Sequence, residues 1–186
     1  MPRPGRQGIE HTGKPMTLKE LEAKIEDVKY EAVTGPFSAF YDQMKVIYDE
    51  LMVKYGGDIN KVRRDMPRVN YVVSDLPQHI KEAWKKILSK EIKAESVFFS
   101  ADTLAKQLHS HPELISTDYA DAFNGFKNCN EFYDRKREHI GLIIEGKRPC
   151  LLILKPARNH TEAFVVSLYS LDVPSLGKKR RGKRIY

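Results

Sequence analysis

Apolar residues in the first half of the chain recur at helical spacing. A capping box at Thr17–Glu20 opens a predicted helix that runs to about Val33, with Leu18, Leu21, Ile25 and Val28 on one face. The sequence Thr34-Gly-Pro36 interrupts this pattern. A second apolar stripe then predicts a packing helix up to Gly56-Gly57, formed by Phe37, Phe40, Tyr41, Met44, Ile47, Tyr48 and Leu51.

A third helix is predicted after a loop through Met66-Pro67. Ser74 is a good cap residue and Pro77 an early proline, and both favour a helix start. The inward side chains of this helix are expected to be Ile80, Ala83, Trp84, Ile87 and Leu88. The region 16–92 is therefore predicted to be helical, and the charge-rich stretch 89–95 is the predicted boundary of a second unit.

Short strands and short helices are predicted beyond this boundary. Ser96–Phe99 is a strand, Ser100 caps a helix that carries Asp102 in its first turn, and Pro112 ends that helix near His111. A further helix contains Tyr119, Ala122, Phe123 and Phe126. A hairpin of His139–Glu145 and Cys150–Lys155 precedes a last strand at Thr161–Tyr169. Short helices packed on one face of an antiparallel sheet predict an α+β domain over residues 95–171.

The net charge of +7 is concentrated at the two ends of the chain. Residues 1–15, predicted to be a disordered leader, and the basic tail 172–186 carry all of it, so the body between them has no net charge. The basic side chains of the tail are Lys178, Lys179, Arg180, Arg181, Lys183 and Arg184. Such a tail can attract nucleic-acid phosphates, but many solvated tails have the same composition.

Several functional classes lack their sequence signals. No apolar run is long enough to span a membrane, and the first residues lack the apolar segment of a secretory signal, so we expect a cytoplasmic protein unless a phage particle or another route delivers it. Cys129 and Cys150 are expected to be free, semi-buried thiols. Phosphate-binding glycine loops, zinc motifs and nucleophile elbows are missing, which predicts polar chemistry without a cofactor.

The densest group of candidate residues lies at the end of the helix before Pro112. Lys106 and His109 are three residues apart and share a helical face, and the break at Pro112 can turn His111 toward it. The two histidines point about 200° apart on a helix, so a metal site is not expected. An exposed basic helix end, with its charges complementing the helix dipole, is the simpler interpretation of this group taken alone.

A second group lies on the last predicted strands. Ser167 and Tyr169 share one face of their strand and Val166 and Leu168 the other, and we expect the apolar pair to face the helices. Lys155 can lie on the face that carries the hydroxyls. A solvated sheet face with incidental hydroxyls would have the same pattern.

The order of these segments resembles a nuclease family. It is similar to that of the phage-associated barnase-EndoU-colicin-RelE-like nucleases. The segments that carry the resemblance are, in order, Ser96-Val-Phe-Phe99, Thr103-Leu104, Lys106, His111-Pro-Glu-Leu114, Asp118-Tyr119, a hairpin and a closing strand to Tyr169. Such domains end Mu-like phage F proteins and occur in polymorphic toxins. The resemblance covers about residues 95–171 and implies a compact catalytic domain of that fold.

The resemblance implies two alternative catalytic histidines. Colicin D, which has a related fold, uses a Lys-x-x-His on a helix and a Ser-x-Trp on a strand, and Lys106–His109 and Ser167–Tyr169 are similar, with tyrosine replacing tryptophan. The pattern of the phage group instead implies His111, which we prefer. A neutral histidine would take the proton of a ribose 2′-hydroxyl, and a 2′,3′-cyclic phosphate would form without a metal. Lys106 and Lys155 would stabilise the phosphorane, Ser167 would donate to a phosphate oxygen, and Tyr169 would stack on a base or orient the phosphate.

The implied function is therefore that of a metal-independent endoribonuclease, a phage, prophage or polymorphic toxin acting on RNA, with tRNA as the expected substrate class. An acidic immunity protein and a virion component bound by the amino-terminal helices are its expected partners. The rival interpretation is a phage structural or nucleic-acid-binding protein with a degenerate nuclease fold. It would bind RNA and DNA alike and cleave neither.

Overall fold

The computed structural model describes residues 30–89, 91–129, 131–135 and 138–180. Its helices are α1 (Phe37–Lys54), α2 (Ile59–Asp65), α3 (Gln78–Leu88), α4 (Ala101–Ser110), α5 (Ser116–Phe126) and α6 (Val173–Arg180). Its strands are β1 (Glu31–Val33), β2 (Val69–Asp75), β3 (Ser96–Ser100), β4 (Phe132–Asp134), β5 (Ile140–Ile144), β6 (Cys150–Pro156) and β7 (Ala163–Ser170). The leader 1–15 and the start of the first predicted helix lie outside the described residues.

The strands form one seven-stranded sheet in the order β1-β2-β3-β7-β6-β5-β4. The predicted α+β class is confirmed. The prediction of an antiparallel sheet is wrong, because β1 pairs with β2, and β3 with β7, in parallel. Parallel pairing of β3 and β7 joins segments more than sixty residues apart, which no local pattern indicates.

The prediction of an all-helical region over residues 16–92 is wrong within its described part. Glu31–Val33, predicted to end the first helix, is β1, and residues predicted as loop form α2 and β2. Strand β1 has three residues and forms by pairing with β2. Helix α2 buries only Val62 in the core. Neither segment therefore has a strong periodic pattern of apolar residues. Asp58 caps α2, because its side chain accepts hydrogen bonds from the backbone N–H groups of Asn60 and Lys61. The sequence analysis did not identify this cap.

The predicted elements of the second half are confirmed. The Ser100 hydroxyl accepts a hydrogen bond of 3.0 Å from the Thr103 backbone N–H and caps α4, as expected. The hairpin is β5 and β6, and the last strand is β7. The strand β4 and the helix α6, which begins the basic tail, were not predicted.

The main core lies between one face of the sheet and helices α1, α3, α4 and α5, and Phe37 is at its centre. The Phe37 ring contacts aromatic rings of α1, β2, β3 and α5, with centroid distances of 5.1 Å to Phe123, 5.2 Å to Tyr71 and 5.9 Å to Phe99. A smaller apolar cluster lies on the opposite face, formed by Tyr133, Ile143, Leu151, Ile153 and Leu171. Both the sheet and the main core thus include residues from either side of the boundary predicted at 89–95.

Both cysteines are buried and free, as predicted. The Cys129 thiol donates to the Ile143 carbonyl at 3.1 Å. Burial raises the pKa of Cys129 to about 11 and that of Cys150 to about 12, so both remain thiols at neutral pH. A buried thiol of raised pKa is a poor nucleophile, and neither cysteine is a catalytic candidate.

Replacing Phe37 with alanine should lower the free energy of unfolding by about 3–5 kcal/mol, because it removes a ring from the centre of the core. Since the core is shared, far-ultraviolet circular dichroism and the fluorescence of Trp84, the single tryptophan, should report one common transition in urea. Val46→Ala on the same helix is the matched control: Val46 is 57% exposed, and its loss should cost less than about 0.5 kcal/mol. Two separate transitions would contradict a shared core.

Candidate active site

The candidate site forms where helix α4 replaces strand β3 as the neighbour of β7. The two strands pair only at Val97–Ala163 and Phe98–Phe164, after which β3 ends at Ser100 and α4 begins at once. The rest of this edge of β7 receives hydrogen bonds from side chains of α4. Lys106 Nζ donates to the Val166 carbonyl, and Gln107 Nε2 donates to the Leu168 carbonyl at 2.8 Å.

A β-bulge decides which side chains of β7 face the site. Ile153 of β6 pairs with Ser167 but the next residue, Leu154, pairs with Val165, which leaves Val166 as the extra residue. Ser167 and Tyr169 share a face, as predicted, since their partners Ile153 and Leu151 both belong to the smaller apolar cluster. The predicted pairing of Val166 with Leu168 on one face is wrong: Leu168 lies in the main core, whereas Val166 packs with the smaller cluster.

Lys106 is the central cation of the site. Its Nζ lies 3.1 Å from Ser167 Oγ, and Ser167 is only 8% exposed. Burial lowers the pKa of Lys106, the positive charge of Arg63 lowers it further, and Asp102 opposes both effects. An ammonium has three N–H donors, and two of them are accounted for by Val166 and Ser167. The third donor can reach an incoming anion.

Asp102 is held by an arginine from α2. Arg63 donates from Nε and an Nη to the two oxygens of Asp102 at 2.8 and 2.9 Å, which is the strong bidentate geometry. The hydrogen bonds to Asp102 raise the pKa of Arg63. Asp102 lies one helical turn before Lys106, so this ion pair borders the site. Sequence analysis missed Arg63 because it missed α2.

His111 lies at the other end of the site, against Tyr169. The two rings meet edge to face, with centroids 4.9 Å apart and an interplanar angle of 89°. The chain leaves the helix at His111, whose backbone N–H makes the last helical bond to the Gln107 carbonyl at 2.7 Å. The helix therefore ends before Pro112, as predicted, and His111 lies against β7.

Glu113 is a functional candidate that sequence analysis did not single out. Its Oε1 lies 3.2 Å from Nδ1 of His111. A carboxylate on one imidazole nitrogen orients the ring and leaves Nε2 for proton transfer. The motif His111-Pro-Glu-Leu114 contained this signal, since the pair is only two residues apart.

The structure separates the remaining predicted residues from these contacts. His109 is exposed, and within the described part of the chain it makes no hydrogen bond or ring contact that would hold it at the site. Lys155 shares the face of Ser167, as predicted. It is exposed on β6 opposite Phe164, about 7 Å along that strand from Ile153, the residue that pairs with Ser167, and among the described residues it makes no hydrogen bond to Ser167. Lys178 to Arg180 lie on α6, whereas Arg181, Lys183 and Arg184 lie outside the described residues.

No group of three His, Cys, Asp or Glu side chains among the described residues is arranged to hold a metal ion. None of the described helices has both the length and the apolar character that crossing a bilayer requires. The side chains that the structure does bring together at the site are Lys106 with Ser167, and His111 with Tyr169 and Glu113.

Lys106→Met should change how stability depends on pH. Since burial lowers the pKa of Lys106, the unfolded chain binds this proton more tightly than the folded protein does. The wild-type protein should therefore gain stability relative to the variant as the pH rises from the folded-state pKa toward the ordinary value of 10.5. Urea unfolding of the wild-type protein and of the variant, at neutral pH and just below pH 10.5, measures how the difference in their free energies of unfolding changes with pH. Lys155→Met, at an exposed lysine of a neighbouring strand, is the control, and the same pH dependence in both variants would contradict the burial argument.

Comparison with known proteins leaves the site to be interpreted from its own geometry. No family model, no curated protein and no solved structure matches the chain. The case for a function therefore rests on one arrangement along the edge of β7: Lys106 beside Ser167, and His111 beside Tyr169 and Glu113.

Proposed function

We propose that the chain is a metal-independent endoribonuclease whose site lies along the edge of β7. The observation that carries the proposal is that Lys106 Nζ lies 3.1 Å from Ser167 Oγ while His111 contacts Tyr169, two residues further along the same strand. Two residues of a strand span about 7 Å, so the lysine end and the histidine end of the site are neighbours on one face of β7.

In this proposal His111 is the general base. Its Nε2 accepts the proton of a ribose 2′-hydroxyl, whose oxygen then bonds to the adjacent phosphorus. Glu113 stabilises the resulting imidazolium through Nδ1. Tyr169 holds the imidazole ring by its edge-to-face contact and is therefore a positioning residue in this mechanism. This role takes the place of the base stacking or phosphate orientation that the sequence led us to expect for Tyr169.

Lys106 and Ser167 act on the phosphate. The Lys106 ammonium stabilises the extra negative charge of the pentacoordinate phosphorus, and the Ser167 hydroxyl donates to a non-bridging oxygen. The bond from phosphorus to the 5′ oxygen breaks, and that oxygen takes a proton from Lys106, which burial makes more acidic than an exposed lysine. The products are a 2′,3′-cyclic phosphate and a 5′-hydroxyl, and DNA is inert because it lacks the nucleophile.

The resemblance to phage-associated nucleases supplies the biological setting of the proposal. A toxin of phage, prophage or polymorphic type would act on RNA, with tRNA as the first substrate to test. Such an enzyme needs a neutralising partner, and an acidic one would complement the positive charge of Lys106.

The purified protein should cleave total tRNA in the presence of EDTA and release fragments with cyclic-phosphate and 5′-hydroxyl ends. End analysis of the fragments by mass spectrometry measures the outcome, and Lys106→Met purified in parallel is the control for contaminating nuclease. Intact tRNA at high protein concentration, together with salt-sensitive binding of both RNA and DNA, would reject the enzyme and favour the nucleic-acid-binding protein.

The two histidines should differ sharply as variants. His111→Gln removes the proposed base and should lower kcat at least about a hundredfold, whereas His109→Gln changes an exposed residue and should leave kcat nearly unchanged. Glu113→Gln should lower kcat less than His111→Gln, because it removes only the carboxylate that lies 3.2 Å from Nδ1 and orients the ring. Loss of activity in His109→Gln with retention in His111→Gln would move the base to His109.

A further inference from the structure

An open cavity of about 880 Å³ lies beside the candidate active site and takes no part in the chemistry described so far. Its volume is at the upper end of the range of ligand pockets, about 300–1,000 Å³. We call it the Arg68 cleft, and the lining residues that matter here are Arg64, Arg68, Asn70, Phe98, Asp102 and Phe164.

The floor of the Arg68 cleft is the sheet face that also carries Ser167. Asn70 pairs with Ser100 across β2 and β3, and Phe98 pairs with Phe164 across β3 and β7. The rings of Phe98 and Phe164 lie 5.9 Å apart and are tilted by 38°, and both are partly exposed. Partly exposed aromatic rings on a sheet are platforms on which nucleic-acid bases stack.

Asn70 contributes an unsatisfied hydrogen-bonding group to the floor. The residue is only 8% exposed, and its Oδ1 has no hydrogen-bond partner among the described residues. A buried carbonyl oxygen without a donor costs about 1–3 kcal/mol, and a rotation of the Asn70 side chain toward the cleft, where a ligand N–H group can meet it, would recover this energy. The edges of nucleobases carry such N–H donors.

The walls of the cleft carry cations. Arg63 is bound to Asp102 and Arg64 contacts Asp65 at 3.1 Å, whereas Arg68 is exposed and has no ion pair among the described residues. Glu162 lines the opposite wall, so the basic character is concentrated on the side of Arg64 and Arg68. Arginine binds phosphate oxygens with two donors at once, and an exposed, unpaired arginine is suited to that role.

The cleft continues the line of the candidate active site. Asp102 at its end lies one turn before Lys106 on α4, and Phe164 lies three residues before Ser167 on β7. Along this line the order is His111 with Tyr169, then Lys106 with Ser167, then the cleft. A strand of RNA with its reacting phosphate at Lys106 would therefore extend its neighbouring nucleotide into the cleft.

We propose that the Arg68 cleft binds the nucleotide next to the reacting phosphate in single-stranded RNA, with its base on Phe98 and Phe164 and against Asn70, and its phosphate on Arg68. This inference rests on the proposed nuclease function, because that function fixes which nucleotide of the RNA lies in the cleft. Duplex RNA would not fit, because a paired base cannot expose its face to the two rings.

Binding is tested without cleavage by short 2′-O-methyl RNA oligonucleotides, which lack the attacking hydroxyl. Fluorescence anisotropy should report single-strand binding that weakens with salt, and the duplex form of the same sequence should bind less tightly. Phe98→Leu should weaken binding about tenfold, and Arg68→Gln should lower the slope of log Kd against log salt by about 1. Lys85→Gln, at an exposed lysine of α3 outside the cleft, is the charge-matched control.

The outcomes separate this proposal from the nuclease proposal. If Phe98→Leu, Arg68→Gln and Lys85→Gln bind the oligonucleotide equally well, the proposal that the cleft binds RNA is overturned. Cleavage of tRNA by Arg68→Gln with an unchanged KM overturns it as well. Arg68 is a surface residue, so its variant stays informative even if Phe98→Leu loses the pairing of β3 with β7 and fails to fold. Oligonucleotide binding that depends on Phe98 and Arg68, combined with uncleaved tRNA, supports the cleft and rejects the nuclease.

Discussion

Strand β7 pairs with β6 along its length, but with β3 only as far as Phe164. Beyond that point its carbonyls on the open edge need donors, since an unpaired buried carbonyl costs about 1–3 kcal/mol. Side chains of α4 supply them: Gln107, which is 1% exposed, bonds to Leu168, and Lys106 bonds to Val166. Because one of these donors is an ammonium, closing the sheet edge also brings a partly buried cation beside Ser167. The candidate site is thus a consequence of where β3 ends beside β7.

Two local interruptions of regular structure complete the site. The bulge at Val166 changes the alternation of β7, so that Val165 and Leu168 face the main core while Ser167 and Tyr169 face the other side. The end of α4 before Pro112 frees His111 from the helix and brings its ring to Tyr169. Without the bulge, Ser167 and Tyr169 would lie on the same face as Val165, toward the main core. Without the helix end, His111 would continue α4.

The helices before β3 support the site as well as the core. Phe37 of α1 packs against rings from β2, β3 and α5 and so joins the first helix to the sheet. Through Arg63, α2 binds Asp102 at the start of α4, and its neighbouring arginines line the Arg68 cleft. The region that the sequence patterns assigned to a separate helical unit thus contributes charge and shape to the candidate site and the cleft beside it.

Local signals in the sequence were sufficient for much of the second half. Ser100 as a cap, Pro112 as a stop and the short apolar runs of β5, β6 and β7 predicted those elements, because each signal depends on neighbours a few residues away. The same signals placed Ser167 and Tyr169 on one face and made His111 available to β7. They were too weak for β1, which has three residues, and for α2, which buries one core residue.

Only the tertiary structure decided the sheet order, the bulge, the contact of Lys106 with Ser167 and the cleft. Lys106 and Ser167 are sixty-one residues apart, and nothing in the composition of either segment specifies that α4 follows the edge of β7. The position of Arg63 beside Asp102 likewise depends on two helices packing together. Periodicity and caps report interactions within a few residues of the chain, whereas strand pairing and helix packing are chosen by the combined burial of distant segments, and for that reason no local pattern contains them.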